Sequence, residues 1–178
     1  AQYYSFASAI YVGASVALMA TFSASRFLEQ AVKHEVTAAS LFAAPIRMIL
    51  ARGEPVDGLK LRHCWLAQNI TQEQYETVTE WFGCRPRQLY GMTETIPAVL
   101  TDEKEDPDPS SMGLVTSGCL VDVQRPDGMS VDPGEVGEIV VGGEVGITIF
   151  NGYLDSPAVT QESFRNGWFL TGDRARRD

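Results

Sequence analysis

The sequence predicts an α/β protein in which a parallel-sheet βαβ subdomain is followed by a small antiparallel β subdomain, an open sheet or partial barrel. Three observations carry this. Strand-length apolar runs alternate with helix-periodic segments up to about residue 100. Eleven of the 16 glycines fall from Gly113 onward, where helical periodicity fades. Between the two textures lies Asp102-Glu-Lys-Glu-Asp-Pro-Asp108, five acids and one lysine, which reads as a solvated loop because like charges repel and stay hydrated. The boundary therefore falls at 108–113, giving subdomains of residues 1–110 and 111–178.

Each element has a local reason. Residues 1–20 are mildly hydrophobic, with Gly13, Ser15 and several alanines but no basic leader, and are read as buried helix and strand. Tyr3, Tyr4, Phe6 and Tyr11 in this stretch are candidates for core or for a substrate pocket. Residues 24–34 put Phe27, Leu28, Ala31 and Val32 on one helical face, with Ser23 or Ser25 available as N-cap. Residues 37–42 form a short buried strand, and Pro45 suits the first turn of a helix reaching about residue 51. Residues 62–67 make a second strand. Thr71 and Gln74 have capping-box spacing, Tyr75, Val78 and Phe82 follow at helical spacing, and Gly83 ends the helix. Residues 87–90 form a third strand that stops at Gly91. Beyond the acidic run, residues 120–123, 137–141, 148–150 and 168–170 are strand candidates, with Pro126-Asp-Gly128 and Asp132-Pro-Gly134 as turns.

Composition excludes several classes. The 178 residues suffice for a real core, since roughly 70% of the unfolded surface is buried at this size. No apolar run reaches the roughly 18 residues of a membrane span. A net charge of −9 without a basic stripe argues against nucleic acid as a partner. Cys64, Cys84 and Cys119 form no CxxC pair, and His34 and His63 are too isolated for a zinc site, so a reduced, cytoplasmic protein without a structural metal is expected.

Two segments concentrate chemistry. In Gln88-Leu-Tyr-Gly-Met-Thr-Glu-Thr95 a buried strand ends at the carboxyl edge of a parallel sheet, where ligands usually bind. Gly91 permits close approach of a ligand, Thr93 offers a hydroxyl to a phosphate, Glu94 a hard oxygen to Mg²⁺, and Tyr90 an aromatic face to a base. In Gly167-Trp-Phe-Leu-Thr-Gly-Asp173, Gly172 lets Asp173 sit at a sharp turn, where a carboxylate can accept two hydrogen bonds from a ribose diol.

These two segments occur in order with Gly137-Glu-Ile-Val-Val-Gly-Gly143 and Gly152-Tyr-Leu-Asp-Ser-Pro-Ala-Val-Thr160. The four blocks together resemble the adenylate-forming (AMP-binding) superfamily, which holds the acyl-CoA synthetases, the amino-acid adenylation domains and the firefly-type luciferases. Met92-Thr-Glu-Thr95, Asn69 and Gly146-Ile-Thr-Ile-Phe150 look most like the carnitine/crotonobetaine–CoA ligase branch. The resemblance covers nearly the whole chain and implies that both subdomains are part of the enzyme's large domain.

The resemblance also implies roles. Tyr90 would stack on adenine, Thr93 would touch the α-phosphate, Glu94 would bind Mg²⁺ and Asp173 would hold the ribose hydroxyls. Gly91 and Met92 would line the acyl end. The implied activity is that of an acid–thiol ligase using ATP, Mg²⁺ and CoA: a small-molecule carboxylate attacks the ATP α-phosphate, and CoA then displaces AMP. The alternatives are an amino-acid adenylation domain loading a carrier protein, and a non-catalytic nucleotide-binding module. The family's Gly-Gly-Ala-Pro-like turn is replaced here by Leu66-Ala-Gln-Asn-Ile70, so Gln68 and Asn69 would reshape the adenine or acyl wall. The family's phosphate loop and its small C-terminal domain with a catalytic lysine have no counterpart here, so the chain is expected to be an interior fragment, inactive alone, of a longer parent.

Overall fold

A computed structural model describes residues 2–96 and 98–178, with side chains from residue 5 onward. The chain divides into two compact units, Ala1–Tyr90 with Leu100–Leu114, and Gly91–Val99 with Val115–Asp178. The linear boundary expected near residue 110 is thus corrected: residues 91–99 group with the later unit. The cause is visible in the backbone, where Phe150 N–H donates to the Glu94 carbonyl at 2.8 Å and Thr116 N–H to the Val99 carbonyl at 2.9 Å.

The first unit begins with helical turns at Gln2–Ala7 and α1 (Ser8–Tyr11). The expectation of buried helix and strand fails for this stretch. Phe6, Ile10, Tyr11 and Leu18 are exposed, Tyr11 at 91%, and no strand forms between α1 and residue 24. The apolar residues here lack helical or alternating spacing long enough to turn one face inward. The side chains of Tyr3 and Tyr4 lie outside the described residues.

α2 (Phe27–Lys33) follows a 3₁₀ turn at Ala24–Arg26, with Ser23 at the N-cap position but without a side-chain capping bond. β1 (Ala38–Phe42) leads directly into α3 (Ala43–Arg52), which carries Pro45 in its first turn. β2 (His63–Ala67) precedes α4 (Gln72–Phe82). The capping box is formed: Gln74 N–H donates to Thr71 Oγ1 at 3.2 Å and Thr71 N–H to Gln74 Oε1 at 3.1 Å. Gly83, at φ +68°, ends α4 in the left-handed conformation that favours glycine.

β3 (Pro86–Tyr90) runs parallel to β2, as β2 does to β1, while β4 (Leu100–Thr101) runs antiparallel to β3. The short β5 (Leu114–Val115) completes the order β1-β2-β3-β4-β5. Leu41, Leu66 and Gln88 are in register, so one face of the sheet carries them in a row. The core joins Leu41, Cys64 and Leu66 to Leu28 of α2, Ile46 and Ile49 of α3, and Val78 and Phe82 of α4. Each large side chain buried this way stabilises by about 1.5–3 kcal/mol.

The acidic run departs from expectation at its first residue. Asp102 is 1% exposed, not solvated. Its Oδ1 accepts from Lys104 N–H and its Oδ2 from Asp108 N–H, each at 3.1 Å, while Arg87 donates to the carbonyls of Asp102 and Lys104. The carboxylate is therefore consumed by the loop's own backbone donors, which makes its burial tolerable.

The second unit contains a four-stranded antiparallel sheet in the order β6-β7-β9-β8, from β6 (Leu120–Gln124), β7 (Val136–Gly142), β8 (Phe164–Arg165) and β9 (Trp168–Arg176). α5 (Pro157–Glu162) carries proline at its first position. The strand expected at 148–150 does not form. The Glu144 carbonyl instead collects the N–H groups of Ile147, Thr148 and Ile149, closing a turn that leaves only an isolated bridge from Val145 to Ile149. Among the described residues no helix is long and apolar enough to cross a membrane.

Candidate active site

β3 ends at Tyr90, which pairs with Leu100 of β4 and is half-buried. Its residue therefore stands where the sequence placed it, at the carboxyl end of a parallel strand. The chain then enters the second unit through exposed Gly91 and half-buried, extended Met92.

A single 3₁₀ turn, Thr93–Thr95, follows. Thr95 builds it. This residue is fully buried, its hydroxyl donates to the Met92 carbonyl at 3.1 Å, and Met92 N–H donates back to the same oxygen at 3.1 Å. Thr93 is left exposed and Glu94 half-exposed on the turn so formed. Sequence reasoning singled out Thr93 and Glu94 but gave no role to Thr95, whose small polar side chain in a buried setting is what fixes them.

Glu94 is held at both ends. Its carbonyl accepts from Phe150 N–H at 2.8 Å, and its Oε1 accepts from the Tyr153 hydroxyl at 2.9 Å. Partial burial first, then the hydrogen bond to Glu94 and its charge, push the Tyr153 phenol above its ordinary range, so it serves as the donor near neutral pH. Phe150 packs edge-on to Tyr153 at 4.8 Å and to Phe169 of β9 at 5.4 Å, and stacks on Phe164 at 6.2 Å. The Phe150–Tyr153 stretch is the part of the site that sequence reading missed. Its signal was present in Gly152-Tyr-Leu-Asp-Ser-Pro, a block used for resemblance without a role for the tyrosine.

Asp173 lies on β9 within an irregularity of the β7–β9 pairing. Glu138 pairs with Arg174 and Val140 with Leu170, so Thr171, Gly172 and Asp173 face Ile139 alone. The sharp turn expected at Gly172 is thus a β-bulge, with Gly172 at φ +76°. Three bonds hold it: Thr171 Oγ1 donates to the Ile139 carbonyl at 2.7 Å, Asp173 N–H donates to Thr171 Oγ1 at 3.1 Å, and Gly172 N–H donates to Glu138 Oε1 at 3.0 Å. The Asp173 side chain is exposed on this bulge. Within the second unit, the turn bearing Thr93 and Glu94 and the strand bearing Asp173 share the Phe150 aromatic cluster.

At Leu66-Ala-Gln-Asn-Ile70, Gln68 adopts φ +74°, a conformation that glycine reaches without strain. Arg47 donates to the Asn69 carbonyl at 3.0 Å. The turn between β2 and α4 thus keeps a glycine-like backbone with a glutamine on it.

The AMP-binding enzyme family matches residues 1–154, most of the chain, and the chain belongs to that family. The crotonobetaine/carnitine–CoA ligase of Salmonella arizonae is 31% identical over 175 residues, covering 96% of this chain and 34% of that protein. An O-succinylbenzoate coenzyme A synthetase from Bacillus subtilis, solved in complex with ATP and magnesium ion, is 28% identical with a TM-score of 0.76, covering 96% of this chain and 35% of that one. A benzoate CoA ligase from Burkholderia xenovorans LB400 shares the fold, with a TM-score of 0.82 at 22% identity over 93% of this chain and 34% of that one. The chain spans about a third of the length of the curated relatives it matches.

Proposed function

We propose that this chain supplies the adenylate-holding part of an ATP-dependent acyl-CoA synthetase, an acid–thiol ligase that activates a small-molecule carboxylic acid and passes it to CoA. The observation that carries the reading is the Thr93–Thr95 turn. It follows the end of a parallel strand, exposes the Thr93 hydroxyl, and fixes the Glu94 carboxylate from both its backbone and its side chain. The names of the relatives support the CoA-ligase class.

In this reading Tyr90 stacks on the adenine, Asp173 accepts the ribose hydroxyls from its bulge, Thr93 donates to the α-phosphate, and Gly91 and Met92 border the acyl group. The donor set suits magnesium. Glu94 offers a hard carboxylate oxygen, and no group of three or more His, Cys, Asp or Glu among the described residues could hold a cation unaided. Mg²⁺ is commonly held by one or two carboxylates together with substrate phosphates. When bound there, the ion supplies neutralisation of phosphate charge.

The chain's residues then act by positioning and electrostatics, the main requirements of chemistry at phosphorus. A substrate carboxylate oxygen attacks the α-phosphorus, pyrophosphate leaves, and the acyl-adenylate forms. The CoA thiol, losing its proton, attacks the acyl carbon and expels AMP. No protein nucleophile is needed, in keeping with buried Cys64 and the absence of a histidine from these segments. Three unpaired cysteines accord with a reduced, cytoplasmic setting.

The test is Mg²⁺-ATP-dependent pyrophosphate release by the full-length protein across carnitine, crotonobetaine, short and long fatty acids, aryl acids and amino acids, with and without CoA. Release with one acid class, and thioester when CoA is present, is expected. Glu94→Gln should lower the rate by about 100-fold or more, the scale of losing one preorganised charge-stabilising group. Unchanged release by that variant would remove Glu94 from the site.

A further inference from the structure

Tyr153, outside the assigned set, holds the assigned Glu94 carboxylate through its side chain. Its hydroxyl donates to Glu94 Oε1 at 2.9 Å across 59 residues of chain. The phenol is itself anchored. Its ring sits edge-on to Phe150 at 4.8 Å, and Phe150 N–H holds the Glu94 carbonyl. Its own N–H donates to Oγ1 of Thr160, a residue of α5, at 2.9 Å, and that hydroxyl donates to the carbonyl of Ser156 at the start of the helix at 3.0 Å. The residue before it, Gly152, adopts φ +137°, and a Cβ there would meet Thr160 Cγ2 at 2.9 Å, so the close approach to α5 depends on glycine.

A half-exposed glutamate ordinarily samples several rotamers, and ordering it on ligand binding costs conformational entropy. Here the ordering is done in advance. An ionised carboxylate has two oxygens and roughly four lone-pair sites. The phenol occupies one site on Oε1, leaving Oε2 and the remaining lone pair available. This is how an outer partner orients a metal-binding side chain without reaching the metal itself.

We propose that Tyr153 is a positioning residue: its O–H presets the Glu94 carboxylate for the divalent cation that arrives with the nucleotide. The proposal rests on the assignment of Glu94 to that cation. It also gives Gly152-Tyr-Leu-Asp-Ser-Pro a purpose. The glycine admits the approach to Thr160, the tyrosine reaches Glu94, and the serine and proline start the helix that supplies the anchor.

The experiment measures Mn²⁺ binding to the full-length protein with α,β-methylene-ATP, by water-proton relaxation, for the wild type and the variants Tyr153→Phe, Thr160→Ala and Glu94→Gln. Tyr153→Phe keeps the ring against Phe150 and deletes only the hydroxyl. It should weaken Mn²⁺ about tenfold, the low end of what losing an outer partner does, and raise the KM for Mg²⁺-ATP more than it lowers kcat. Thr160→Ala, which loosens the anchor and spares the hydroxyl, should weaken Mn²⁺ by less. It provides the test should the phenylalanine variant fold poorly. Weakened binding in Glu94→Gln with wild-type binding in Tyr153→Phe and Thr160→Ala overturns the positioning role alone. Wild-type Mn²⁺ binding in Glu94→Gln overturns the metal assignment, and this proposal with it.

Discussion

The hydroxyl of Thr171 donates to the carbonyl of Ile139 at 2.7 Å across the β7–β9 bulge, and the same oxygen accepts the N–H of Asp173 at 3.1 Å. One side chain therefore ties the bulge to its partner strand and sets the backbone of the residue assigned to the ribose. A β-bulge re-aims the side chain that follows it, and the Thr171 hydroxyl keeps that aim fixed.

Thr171→Val removes both bonds at nearly constant volume. The Ile139 residue is 1% exposed, so its carbonyl loses a partner in a dry setting. The expected cost is about 1–2 kcal/mol of stability, read by urea denaturation. In the full-length protein, affinity for ATP should also fall, by about tenfold at most, equivalent to ~1.4 kcal/mol. Thr171→Ser, which keeps the hydroxyl, should restore both. A valine variant with wild-type stability and wild-type ATP affinity would show that the bulge is held by the Glu138 bond to Gly172 instead.

Two glycines at similar φ make a matched pair. Gly113, at φ +89°, lies where a Cβ would sit 2.2 Å from the Thr101 carbonyl oxygen and 2.4 Å from Asp102 N. Gly118, at φ +83°, has nothing within 4 Å of that position. Both alanine variants bear the left-handed backbone strain of about 1–2 kcal/mol, but only Gly113→Ala must also push backbone off β4 and off the buried Asp102 loop. Its loss should exceed that of Gly118→Ala by at least ~1–2 kcal/mol in thermal or urea unfolding. Equal losses would mean that the chain around residue 113 relaxes freely.

The legible parts of this molecule were those decided within a few residues. The α4 helix declared itself through Thr71 and Gln74, three apart, and through Tyr75, Val78 and Phe82 at helical spacing, all of which act locally. Asp102 could not be read that way. Its burial depends on N–H donors at Lys104 and Asp108 and on Arg87 in a preceding strand, and in sequence it looks like any acid in a charged run. The site divides along the same line. Thr93 and Glu94 are marked by their place after a strand, whereas Tyr153 reaches Glu94 only through tertiary structure. Residues 148–150 have the length and apolar content of a strand, yet the N–H groups of Thr148 and Ile149 go to the Glu144 carbonyl and that of Phe150 to the Glu94 carbonyl, which leaves none of them for a neighbouring strand.

Stability of the second unit should carry an acid-side dependence on Asp122 of β6. Partial burial pushes this carboxyl up, but the Ser130 hydroxyl at 2.7 Å, the Gln124 amide at 3.1 Å and the Val123 N–H at 2.8 Å, with Arg177 nearby, outweigh it and hold the group below the usual carboxylate range. A carboxyl lowered in the folded state binds its proton more readily in the unfolded chain. Its contribution is therefore fully present above the unfolded value of about 3.9 and is lost as pH falls through the lower, folded value. Asp122→Asn replaces an acceptor by an amide that must set an N–H against the Gln124 amide, or surrender one of the three bonds. Urea denaturation should show the variant less stable by about 1 kcal/mol at pH 7, with the same gap at pH 5. The gap should narrow below pH ~4, where the wild-type carboxyl begins to take up its proton on unfolding. A gap that stays constant down to pH 3, or widens there, would mean that the charge on Asp122 contributes nothing and that its hydrogen bonds act as they would for a neutral side chain.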